Sequence, residues 1–180
     1  MDPAMPSRTL KPFQQVVAEL GQYPEDAFHF VRNGLSYAVE KIHGSSTPAQ
    51  LALFQLLEEN NIEVSELLEG HAAGQLSPRL AGALEAAGGV EKFNRHVSGQ
   101  DLSWGLRDYA IQQWGLLART VLARWGITRT IDLGRIVFAM VDNGYMQKQP
   151  RDSVEDFRDV FDFHEAFDQT FRPGVPGIEA

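Results

Sequence analysis

The chain has no cysteine among its 180 residues, which removes a disulfide framework, thiolate catalysis and thiolate-bound zinc or iron–sulfur clusters at once. It has no run near the ~20 consecutive apolar residues that a membrane span needs. Met1 to Thr9 carries Pro3 and Pro6 and lacks an apolar core of signal-peptide length. These absences lead to the expectation of a soluble, cytoplasmic protein with no membrane partner. Also missing are a Gly-x-Ser-x-Gly elbow, a phosphate loop and a dinucleotide fingerprint, and Ser98-Gly99 has no flanking strand to make it a nucleophile turn. The five histidines are scattered, with no pair at i, i+4. Asp162 and His164, two apart on an expected strand, offer two ligands where a closed metal site needs more. No catalytic residue, metal or cofactor is therefore expected.

What is present suffices for one core. Hydrophobic side chains make up 43% of the chain, and a chain of this length buries roughly 70% of its unfolded surface on folding. The net charge of −8 is unevenly distributed, at −6 over residues 1–92, +4 over 93–151 and −6 over 152–180. A basic centre between acidic flanks either meets an anionic partner or is neutralised by the chain's own acidic tail. Arg119, Arg124, Arg129, Arg135 and Arg151 are the candidate interaction residues of that centre.

Helical periodicity runs through most of the sequence. Phe13, Val16, Val17 and Leu20 keep the i, i+3, i+4, i+7 spacing of a helix over about Leu10 to Leu20, stopped by Gly21. Pro24, followed by Glu25 and Asp26, suits the start of a second, because proline's fixed φ fits a first turn and the carboxylates complement the helix dipole. Ala27, Val31, Leu35, Ala38 and Ile42 form its stripe, up to Gly44. Thr47 before Pro48 is an N-cap pair, and Pro78 to Ala87 reads as a short helix closed by Gly88 and Gly89. Residues 45–92, rich in Ala and Gly, read as an inserted or loosely attached segment with a mobile tract at Gly70 to Gln75.

The signals sharpen at Ser98, where Asp101 completes a capping-box pattern and Leu102, Leu106, Ala110 and Trp114 line one face. Leu116 to Trp125 follows, ended by Gly126. Thr130 is placed to cap a helix whose Leu133, Ile136, Val137, Met140 and Val141 would contribute on the order of 8 to 15 kcal/mol of gross burial. Beyond Gly144 the period shifts to two, predicting strands at Tyr145–Lys148 and Val160–Phe163 around a polar loop, then a helix from His164 to Phe171. Trp104, Tyr109, Trp114 and Trp125, at helical spacing, read as core.

The string Arg95-His96-Val97-Ser98-Gly99-Gln100, then Gly105 to Ala110, Gly115 to Leu122, Trp125-Gly126-Ile127 and Asp132 to Gly144, continued by Asp156-Phe157, Asp162-Phe163 and Glu165-Ala166-Phe167, resembles an uncharacterised bacterial group, the Minf family. The resemblance covers about Tyr23–Gly44 and Arg95–Phe167. It implies a shared fold and brings no assigned activity, cofactor or catalytic residue.

The resulting expectation is a mainly α (α+β) architecture: a compact helical domain over 10–171 with a small C-terminal β-hairpin and flexible ends at 1–9 and 172–180. In it the second helix and the Thr130–Asn143 helix meet centrally. The expected function is that of a noncatalytic interaction or adaptor module for a protein partner, including a second copy of itself. Two alternatives accompany it. A winged-helix-like nucleic-acid binder would use the arginines on phosphates, against the repulsion of Asp152, Glu155, Asp156 and Asp159. An enzyme of unknown reaction would need a concave pocket holding Arg, His and carboxylates.

Overall fold

The computed structural model describes residues 10–168; the ends expected to be flexible, and Phe171, lie outside them. Its contacts divide the chain into two units, one drawn from residues before Val39 and after Val97, the other Val39–Val97.

In the first unit α1 (Phe13–Leu20) ends as the sequence predicts, at Gly21 with φ 63°, a left-handed conformation that costs glycine little. Helix α2 (Glu25–His43) begins with Glu25 and Asp26 in its first turn and continues past Ala38 into the second unit. Its buried face is Ala27, Phe28, Phe30, Val31, Gly34 and Ala38, whereas the predicted stripe member Ile42 is 49% exposed. Helix α7 (Gly99–Trp114) lies against α2. A methyl group on Gly34 would sit 2.3 Å from Leu106 Cδ2, and one on Gly105 would sit 2.5 Å from Ala38 Cβ. Each helix thus supplies a glycine where the other needs room. Beside this contact the Phe30 ring stacks on Tyr109 at 5.6 Å and meets Trp114 and Trp125 at 5.3 and 5.9 Å.

Helix α7 starts at Ser98, whose hydroxyl accepts from the Asp101 N–H at 3.1 Å and donates to its carboxylate at 2.7 Å. It stops at Gly115, φ 52°, where a 3₁₀ turn (Gly115–Leu117) leads into α8 (Ala118–Arg124). Gly126, φ 80°, then turns the chain so that Ile127 N–H reaches Leu122 O at 2.9 Å and Ile127 is fully buried.

Helix α9 (Thr130–Asp142) buries Leu133, Ile136, Val137 and Met140. It contacts α1, α7 and the 3₁₀ turn Val154–Phe157. Its cap departs from expectation. Thr130 is already helical, and its hydroxyl accepts from Val160 N–H at 3.2 Å. Asp132, two residues further in, reaches back to the N–H groups of Thr128 and Arg129.

The predicted β-hairpin is absent, because no strand occurs among the described residues. Tyr145 and Met146 donate to Met140 O and finish α9, and the Asp152 side chain accepts from Gln149 N–H in a tight turn. The Phe161 and Phe163 alternation, read as strand, leads into α10 (Phe163–Asp168), where Asp162 caps the helix by accepting from Glu165 N–H at 3.0 Å. The period-two pattern arises because Phe161, Phe163 and Phe167 gather in one aromatic cluster. Asp162 and His164 are accordingly at a helix start and not on one face of a strand.

The second unit consists of the remainder of α2, α3 (Pro48–Glu59), α4 (Val64–Ala72), α5 (Pro78–Ala86) and α6 (Gly89–Phe93). Leu53, Leu57, Leu67, Leu84, Ala87 and Phe93 form its own core. Thr47 and Gln50 complete a reciprocal capping box, and the Gln50 amide also donates to Lys92 O at 2.9 Å. Arg95 hydrogen-bonds Ser46 and Gly44 O, tying the two ends of the unit. The tract Gly70–Gln75, expected to be mobile, forms the end of α4 and its closing turn, with Gln75 N–H on Gly70 O at 2.8 Å.

Candidate interaction surface

The five arginines separate by what holds them. Arg119, on α8, pairs with Asp168 at 2.8 Å, joining α8 to α10. Arg135, on α9, is 3.1 Å from Asp132. The first pair joins the basic centre to the acidic tail, whereas the second lies within the centre itself. Arg124 in the last turn of α8, Arg129 just before α9 and Arg151 in the loop after Pro150 are exposed and have no ion-pair partner among the described residues.

The turn that leads into α8 exposes apolar side chains. Leu116 and Leu117, on the 3₁₀ turn, are 62% and 63% exposed. Leucine with that much surface in water forgoes most of its burial energy, about 1.5 kcal/mol or more for a side chain of this size. Leu117 and Arg124 are seven residues apart, two helical turns, so the same side of the segment carries an apolar anchor followed by a cation. Sequence reasoning identified the cations but not the exposed leucines, which it placed in a helix from Leu116 to Trp125.

Asp132 is 4% exposed and is the most elaborate polar feature of this unit. One carboxylate oxygen accepts from Thr128 and Arg129 N–H, both at 3.0 Å, and the other from Tyr23 Oη at 2.9 Å and Arg135 at 3.1 Å. With four donors on two oxygens the carboxylate is saturated. It orders the start of α9, and no lone pair is left for a proton transfer.

The second unit carries a groove of about 310 Å³ between α3 and α5, lined by Ala49, Ala52, Leu56, Glu59, Arg79 and Ala83 among others. It holds no histidine or nucleophilic side chain, so it does not supply the constellation that the enzyme alternative needs. No group of three metal-binding side chains occurs among the described residues. The winged-helix alternative loses its wing with the hairpin. Among the described residues no helix is long and apolar enough to cross a membrane. No family model, curated protein or solved structure matches the chain.

Proposed function

We propose that the chain is a noncatalytic protein-interaction module that docks an acidic partner on the surface formed by Leu116, Leu117, Arg124 and Arg129, with Arg151 contributing charge. The observation that carries this reading is that Leu116 and Leu117 are more than 60% exposed on the turn that opens α8, whose last turn holds Arg124, an arginine with no ion-pair partner among the described residues. Apolar anchors supply most of the affinity at protein interfaces, and unpaired cations supply orientation and speed of encounter. The saturation of Asp132, the least exposed carboxylate of the unit, supports a structural and not a reactive role for its most buried polar group.

The test compares affinity capture from lysate by the wild-type chain with capture by Leu117→Asp and Arg124→Glu, alongside light scattering for oligomeric state. A partner, or a second copy, should be retained by the wild type, lost with either variant at unchanged helicity, and weakened by salt within the ~8 Å screening length of physiological buffer. A monomer that retains nothing, or retention indifferent to both variants, overturns the reading.

A further inference from the structure

A second surface of the same unit has the opposite sign. Trp104 projects from α7 and is 44% exposed, although its spacing with Tyr109 and Trp114 reads as core. One side of it is walled by the Phe161 ring, with centroids 4.6 Å apart, and Phe161 in turn packs on Phe163 and Phe167. The indole therefore stands on a fixed aromatic base, with no hydrogen bond to its N–H among the described residues. Exposed tryptophan on a rigid support is the side chain most enriched at the energetic centres of interfaces.

The charge around it is acidic. Asp101 and Asp108 lie three before and four after Trp104 on α7, on the same side of the helix. Asp159 and Asp162 flank Phe161 in sequence and are exposed. Across residues 101–108 and 158–165 there are five carboxylates against two arginines, and both arginines are already engaged. Arg107 pairs with Asp108 at 2.6 Å and donates to Ala166 O at 3.0 Å, and Arg158 donates from Nε and Nη2 to the two carboxylate oxygens of Glu155. Arg107 also sits 5.9 Å from the Trp104 ring centre, so an incoming cation takes the indole area that Arg107 and Phe161 leave exposed.

We infer that the Trp104–Phe161 surface, with Asp101 one turn away on α7 and Asp159 and Asp162 close to Phe161 in the chain, is a docking site for a basic segment of a partner protein, with a Lys or Arg side chain laid over the exposed part of the indole. Cation–π attraction and these carboxylates favour the same occupant, and the carboxylates repel anionic lipid and nucleic acid alike. This surface is distinct from the basic one around Leu117 and Arg124.

The experiment uses the full chain and a fluorescein-labelled dodecapeptide of alternating lysine, arginine and leucine, followed by anisotropy at two salt concentrations. Saturable binding is expected, weakened about tenfold or more by Trp104→Ala and several-fold by Asp159→Lys, and only slightly by Trp104→Phe. Glu69→Lys, in the second unit, controls for attraction by net charge alone, and Arg124→Glu controls for the other surface. Both should leave the affinity within about twofold. Equal weakening by Glu69→Lys and Asp159→Lys, or binding unaffected by Trp104→Ala, overturns the inference. So does a concentration-dependent dimer abolished by Trp104→Ala, since the occupant would then be a second copy. Because Arg124→Glu is read separately, loss of the proposed acidic-partner function and loss of this site are distinguishable.

Discussion

The Tyr23 hydroxyl donates to Asp132 at 2.9 Å across 109 residues of sequence, linking the turn that precedes α2 to the first turn of α9. Because the same carboxylate holds the Thr128 and Arg129 N–H groups, this one bond couples a local helix cap to the long-range closure of the unit.

Removing that bond should be measurable. Tyr23→Phe leaves the ring in place and takes away a hydrogen bond to a charged acceptor, so urea unfolding at pH 7 should show a loss of about 1.5 kcal/mol. Burial pushes the Tyr23 phenol above the ordinary tyrosine value; Arg135 opposes that rise and Asp132 adds to it. A value raised in the folded state means that stability is intact below pH about 10 and falls as the pH climbs through the folded value. The variant should lose that titration, giving a shallower alkaline decline than the wild type. An alkaline profile unchanged by Tyr23→Phe would contradict this assignment.

Glycines in two helices should respond in opposite directions. At Gly134 in α9 an added methyl would lie 2.7 Å from Phe157 Cγ and 2.8 Å from its Cβ, so Gly134→Ala should destabilise by about 1 to 3 kcal/mol despite the better helix propensity of alanine. At Gly82 in α5 nothing lies within 4 Å, and Gly82→Ala should stabilise by about 0.5 to 1 kcal/mol. Thermal melts of the two variants check both signs together.

Gln50 is 6% exposed and bonds in two directions, capping α3 through its carbonyl and holding Lys92 O through its amide. Gln50→Glu keeps the capping acceptor and sets a carboxylate against a carbonyl, so it should cost more than Thr47→Ala, about 2 to 3 kcal/mol against about 1 kcal/mol. Burial beside that carbonyl raises the folded-state value of the new carboxyl. The loss should therefore shrink as the pH is lowered and the protonated group can donate to Lys92 O. Unfolding curves at pH 7 and at about pH 4 would show it.

Much of the helical order was legible because helix ends are local. Gly21, Gly44 and Gly126 stop helices by adopting positive φ, and Thr47-Pro48 and Ser98-Asp101 start them, all within four residues of sequence. Helix α4 escaped notice because its apolar stripe, Val64, Leu67 and Leu68, is only about one turn long and is followed by Gly70 and Gly74. The hairpin was misread because Phe161 and Phe163 alternate like a strand, while the decisive residue, Asp162, is a cap whose partner Glu165 lies beyond the pattern. The arginines were visible as a group, but their division required distances: Arg119 finds Asp168 through the contact of α8 with α10, which no local spacing announces. Trp104 was hidden for a related reason, since periodicity gives the face of a helix and not whether another element covers it.

Phe157 is lodged between the two helices that frame it, with its ring within 3 Å of where a methyl on either Gly99 or Gly134 would stand. A side chain in that seat imposes an order on change. Gly134 meets the Phe157 side chain alone and cannot grow until the ring is replaced by something smaller, whereas Gly99 is also held by Asp156 Cβ at 2.9 Å. Variation at 134 and 157 is bound to travel together, by way of intermediates that are each less stable than either end.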